Sequence, residues 1–282
     1  MLAVLVGITS ALVFGAADFL GGLGAKRISA IRVSAVAALS GLAVLLVLLP
    51  LLGATWSTSA MLLGMLSGVT GCIGIVLLYA CLAIGPMSIL SPLTAVVSAI
   101  VPLSVGLLRG ETLGPVGYVA IVLALIAVVL VGFVKEKTAV RPTVRGLLMA
   151  VASGAFIGAF LVIIDLTPPE SGLIPLVFDR MVRTAILFAA VGILLLGRRR
   201  DARGWRPGLA LALACGAVDA LANVGLLLGV RIGELSVMSV LTALYPAGTI
   251  ILAAIVLKER IAVVQYVGLA LAITAAAMLA LA

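Results

Sequence analysis

Ten apolar runs follow one another along the chain, over residues 2–23, 31–52, 60–83, 86–108, 113–134, 145–165, 172–196, 207–230, 234–256 and 261–281. Each is near the length of about 20 residues that an α-helix needs to cross the hydrocarbon core of a bilayer. Between them stand polar or helix-breaking punctuation: Lys26-Arg27, Gly53 through Ser59, Gly85-Pro86, Arg109-Gly110-Glu111, Lys135 through Pro142, Thr167 through Gly172, Arg198 through Pro207, Arg231-Ile232-Gly233 and Lys258-Glu259-Arg260. Lipid offers no partner for backbone N–H and C=O groups, so each run must bond internally as a helix. The pattern predicts an all-α integral membrane protein of ten transmembrane helices.

Composition agrees. Of 282 residues, 65% are hydrophobic and 10% charged, whereas a soluble domain carries roughly a quarter charged residues. No stretch is polar enough for a separate soluble domain. Residues 1–22 lack a basic leader and are too long for a signal core, so they read as the first helix. The net charge of +8 lies mostly in short loops, where basic residues set orientation and meet anionic headgroups. Nucleic acid is therefore not an expected partner. The chain has no His, the commonest metal ligand and general base. Cys72, Cys81 and Cys215 fall inside apolar runs and read as small core residues without a metal or disulfide pattern.

An internal repeat is visible at an offset of 148 residues. This shift places Ile84-Gly85 on Ile232-Gly233, Ser88 on Ser236, Ser91 on Ser239, and Leu93-Thr94-Ala95 on Leu241-Thr242-Ala243. It also superposes Glu111 on Glu259, Tyr118 on Tyr266, Arg32 on Arg180 and Gly68 on Gly216. Polar matches of this kind carry weight because polar residues are scarce here. The repeat units are expected at 1–137 and 138–282, five helices each. An odd number of crossings reverses the second unit, which gives an inverted pair with a site near the midplane and favours alternating access. Fourteen of the Lys and Arg residues flank the connections after the odd-numbered helices. That end is expected in the cytoplasm, with both termini outside the plasma (inner) membrane.

Several local patterns accompany the repeat: Phe14-Gly15-Ala16-Ala17-Asp18-Phe19 in the first run, and Arg32 and Arg180 near the starts of the second and seventh. The Gly-x-x-Ser-x-x-x-x-Leu-Thr-Ala pattern enters the fourth and ninth runs, and Glu111 and Glu259 follow them. In order and spacing, over essentially the whole chain, the sequence resembles the EamA-type branch of the drug/metabolite transporter superfamily. The resemblance implies a secondary carrier that moves small metabolites, usually outward, through a cavity between its halves. It departs from the family in two respects. Family members commonly keep both termini in the cytoplasm, and the first repeat lacks the basic loop that the second has after its second helix.

An ionisable group inside an apolar run is costly to bury and so marks a functional position. Asp18 has no basic neighbour within a turn. Asp219 and Asn223 share one face of the eighth run. Asp179 and Arg183 have the spacing of an intrahelical pair, which leaves Arg180 without a local partner. Equal depth predicts a pair between Arg183 and Asp219. Tyr79, Thr94, Thr242 and Tyr245 are expected to line a cavity beside Pro92, Pro102 and Pro246, whose kinks free backbone carbonyls. The expected substrate site is therefore Asp18, Tyr79, Thr94, Arg180, Arg183, Asp219, Asn223, Thr242 and Tyr245, with Asp18 or Asp219 exchanging a proton. Glu111 and Glu259 are expected at helix starts, where the dipole favours acids. Gly64/Gly68, Gly154/Gly158 and Gly225/Gly229 have the spacing of close-packed seams.

A carrier for amino acids or drug-like compounds, without cofactor and as a monomer, fits these features. A lipid-carrier flippase or accessory subunit is the alternative. No HExxH, GxSxG or nucleotide-binding loop is present, so neither enzyme chemistry nor ATP drive is expected.

Overall fold

The computed structural model describes residues 1–84, 87–132, 142–196, 206–258 and 262–281. Lys135, Lys137, Arg198 through Arg203, Glu259 and Arg260 lie outside the described residues. All regular structure among the described residues is helical: α1 (Leu2–Ala25), α2 (Ala30–Leu52), α3 (Thr58–Ile84), α4 (Met87–Leu108), α5 (Pro115–Val131), α6 (Val144–Asp165), α7 (Ile174–Leu196), α8 (Arg206–Ile232), α9 (Leu235–Thr242), α10 (Tyr245–Val256) and α11 (Val263–Leu281). A short 3-10 turn, Pro169–Ser171, precedes α7.

Seven described spans are long and apolar enough to cross a membrane, and Pro92–Leu108 and Pro115–Val131 are shorter apolar helices. The remaining run, α7, carries Asp179, Arg180 and Arg183 in its first half. Its charge sets it apart from the others, not its length. Outward faces are covered by large apolar side chains, including Leu46, Val47, Val122, Ile126, Ile193 and Ile273. In water such a surface would aggregate, whereas in lipid it is solvated.

The ninth apolar run is not one helix. Pro246 has no N–H and its ring crowds the carbonyl four residues back, that of Thr242. The helix stops at Thr242, and α10 restarts at Tyr245 with proline in its first turn. Hydropathy alone reads through this break, because Ala243 and Leu244 are apolar. Pro92 and Pro102 lie inside α4, which continues through both.

Small residues let the helices approach closely. A side chain carbon at Gly154 would meet Val97 Cβ and the Thr94 carbonyl, both at 2.7 Å, and one at Gly158 would meet Val101 Cβ at 2.7 Å. Both glycines therefore set the contact of α6 with α4. Gly64 and Gly68 face Pro175 and Asp179 of α7, while Gly225 and Gly229 face Ser10 of α1 and Met238 of α9. All three expected seams are contacts between helices. Alanine does the same work between α5 and α11, where Ala120, Ala124, Ala127, Ala275 and Ala276 are buried in one cluster.

At the end with the loops after α2, α4, α6 and α8, polar contacts join all four. Thr55 donates from N–H and hydroxyl to the Glu170 carbonyl at 3.0 and 2.8 Å, and Trp56 stacks edge-on against Phe178. Arg109 pairs with Asp165 at 2.7 Å, and Arg231 donates to the Gly172 carbonyl at 2.9 Å. The Glu111 carboxylate receives the backbone N–H groups of Leu235 and Ser236, each at 2.9 Å, together with the Ser236 hydroxyl. Glu111 thus caps α9 from across the fold. It serves the dipole of a helix over a hundred residues away as well as standing before its own. In the turn before α9, Glu234 has its carboxyl pushed above the usual range by burial and by the neighbouring Glu111 carboxylate.

Candidate functional site

A cavity lies in the middle of the bundle, in two lobes. The larger, about 460 Å³, is lined by residues of α1, α2, α3, α7, α8 and α10, and by Val131, Gly132 and Gln265. Gly22, Ala25, Ala30 and Ser34 on its wall carry it toward the end with the α1–α2 loop. The smaller, about 190 Å³, lies among α1, α3, α4, α6, α8 and α9, with Phe14, Phe160 and Tyr245 as aromatic wall. Asp18, Ile75, Leu78, Arg183, Asp219 and Tyr245 line both lobes.

Eight of the nine residues singled out in the sequence come together here. Asp18, Arg180, Arg183, Asp219 and Tyr245 line the larger lobe, and Thr94, Asn223 and Thr242 the smaller. Tyr79 belongs to α3, but its side chain lies outside the described residues.

The charged groups form a chain in which Asp179 is the innermost member. It is 1% exposed, receives the Ser67 hydroxyl at 3.2 Å and Arg183 Nε at 3.0 Å, and has Arg180 Nε at 3.9 Å. Arg180 then reaches across to the Asp219 carboxylate of α8. Asn223, one turn on, donates to the Asp219 carbonyl at 2.8 Å and to its carboxylate at 3.3 Å. The guanidinium of Arg183 also lies over the Phe160 ring, 4.8 Å from its centre, where the ring face attracts a cation. The intrahelical pair of Asp179 with Arg183 is as expected. The cross-helix partner of Asp219 is Arg180, however, and not Arg183. Arg180 and Arg183 differ by one helical turn in depth, and depth alone could not separate them.

Most cavity hydroxyls are committed to the backbone. Thr94 donates to the Leu90 and Ala150 carbonyls, Ser98 to Ala95, and Ser239 to Ser236. Thr242 Oγ1 is buried and has no hydrogen-bond partner among the described residues. Asp18 is open to the cavity. No hydrogen bond or ion pair holds its carboxylate among the described residues.

Cys72 is a buried core residue beside Ala35, Ala38 and Leu187, as expected, and it also touches the larger lobe. Cys215 corrects the expectation: it is half-buried on the wall of that lobe. Cys81 is buried with Leu90 and Ala150, as a core residue. Thr249 and Gln265 were also missed. Thr249 ties α10 to α1 through the Gly15 carbonyl at 3.0 Å. Both are single polar residues in apolar runs, and that was the available signal. Among the described residues no cluster of His, Cys, Asp and Glu could hold a metal.

The class of protein follows from the fold and this site together: a multi-pass helical membrane protein with a polar cavity inside its bundle. Residues 144–281 match the model of the EamA-like transporter family. Residues 144–281 thus form an EamA domain of the drug/metabolite transporter superfamily, as the sequence resemblance indicated. A solved structure, described only as "Crystal structure of protein", shares its fold with a TM-score of 0.77 at 18% identity, over 99% of this chain and 96% of the other. No curated protein matches the chain.

Proposed function

We propose that this protein is a secondary carrier of small metabolites, such as amino acids or drug-like compounds, working by alternating access. The observation that carries this reading is the cavity itself. Its described lining runs toward the end with the α1–α2 loop, while contacts around Glu111, Asp165, Glu170 and Arg231 join the loops of the opposite end. A central polar cavity with the loops of one end tied together suits a carrier that opens to one side at a time. In the proposal the chain has ten membrane-crossing segments in two inverted units, 1–137 and 138–282, with α9 and α10 as one broken crossing. The helix packing supports such a repeat. α1 packs on α8 as α3 does on α6, α2 on α8 as α3 on α7, and α1 on α9 and α10 as α4 on α6. Those pairs exchange when the two units are exchanged.

The protein is proposed to lie in the plasma (inner) membrane as a monomer, with both termini outside and the basic loops in the cytoplasm. The cavity then faces the cytoplasm, which is where an exporter loads. A reporter enzyme fused after Ala282 is expected to be active only outside; activity confined to the cytoplasm would reverse the orientation and with it the direction. Asp18 and Asp219 are the proposed proton carriers, because a carboxylate on a membrane cavity can exchange a proton for substrate. Uptake of a labelled metabolite panel into proteoliposomes tests the carrier reading. Accumulation that follows an imposed pH gradient is expected, and no accumulation of any solute would contradict it.

A further inference from the structure

Among the described residues, the charges that line the cavity do not balance. Arg180 and Arg183 supply two positive charges, and both are held: Arg183 by Asp179, and Arg180 by Asp219 with Asp179 close by. Asp179 and Asp219 are their counter-ions. Asp18 is the third carboxylate, open to both lobes and held by no described partner. Arg32, the buried cation on α2, lines neither lobe. Among the described residues the surplus is one negative charge, that of Asp18, which lines both lobes.

The walls around it suit an apolar body. Phe14, Phe160 and Leu226 line the smaller lobe, and the hydroxyls of Thr94, Ser98 and Ser239 have their protons on backbone carbonyls. These oxygens can accept from an ammonium but donate little to a carboxylate. A zwitterion would need a free cation for its acid group, and each guanidinium is already matched.

We propose that the substrate is an organic monocation, an amine with a compact apolar or aromatic body, whose ammonium binds Asp18 while its body fills the lobe beside Phe14 and Phe160. This rests on the cavity being a carrier's substrate site. It narrows that reading from small metabolites to amines, and it disfavours amino acids.

The test is binding to the purified full chain in detergent, at neutral pH, with four probes that share one phenyl body. They are phenethylamine, phenylalanine, phenethyl alcohol and hydrocinnamate. Because a charge-assisted hydrogen bond is far stronger than a neutral one, the amine is expected to bind at least about tenfold more tightly than the other three. Asp18→Asn is expected to bring the amine down to the affinity of the alcohol without lowering the thermal midpoint of the empty protein, and Asp18→Glu to restore much of the preference. Phenylalanine or hydrocinnamate binding as tightly as the amine would overturn the proposal. So would unchanged amine binding in a folded Asp18→Asn protein, or binding of none of the four. Probe binding separates this claim from the carrier reading. Amine binding without uptake of any solute defeats the carrier alone, and robust uptake of an amino acid without amine binding defeats the amine alone.

Discussion

Asp179→Ala is expected to destabilise the protein more than any other single substitution in the cavity region, by about 3–5 kcal/mol. The reason is its place in the charge chain. Asp179 is almost fully buried and is the nearest carboxylate to Arg183, while Arg180 leans on it from 3.9 Å. Taking it away leaves the buried Arg183 guanidinium over the Phe160 ring without its nearest described carboxylate. It also removes the acceptor of the Ser67 hydroxyl, and so a tie between α3 and α7. Thermal unfolding of the purified variant in detergent should show a clear drop in midpoint and poor recovery of folded protein. A midpoint equal to that of the unaltered chain would mean that the arginines are satisfied without Asp179.

Asp219→Asn is expected to injure both stability and transport. The amide keeps an oxygen for Arg180 and Asn223, so the shape of the α7–α8 contact survives. The charge does not, and Arg180 and Arg183 are left to share Asp179. A loss of about 1–3 kcal/mol is expected, the range for a buried charged hydrogen bond deprived of its partner. Transport should fall further than the loss of folded protein explains, because the charge of the cavity changes. Asp219→Asn protein with full stability and full transport would remove the residue from both roles.

The sequence made the ionisable members of the site legible, for an energetic reason. Asp18, Arg180, Arg183 and Asp219 stand in runs that lipid would otherwise surround, and the interior of the bundle is the only affordable place for them. Asn223 followed from its helical spacing to Asp219. What the sequence hid was partnership. The periodicity of α7 places Arg180 and Arg183 a turn apart, but it does not say which one looks toward α8. Glu111 shows the same limit: its position before α5 is local and readable, whereas its cap on α9 depends on how the chain returns. The break between α9 and α10 was half legible. Pro246 marked a disturbance, but Ala243 and Leu244 kept the run apolar. Cys215 is as apolar in composition as its neighbours, so its place on the cavity wall became clear only from the structure.

Asp18 separates function from stability most cleanly, since its side chain holds nothing together among the described residues. Reconstituted wild-type and Asp18→Asn proteins should be compared at equal folded amount, with thermal midpoints measured on the same samples and uptake of the best solute of the panel measured with and without a pH gradient. Equal midpoints are expected, with gradient-driven accumulation by the wild type and little or none by Asp18→Asn. Equal, pH-dependent accumulation by both proteins would contradict this expectation.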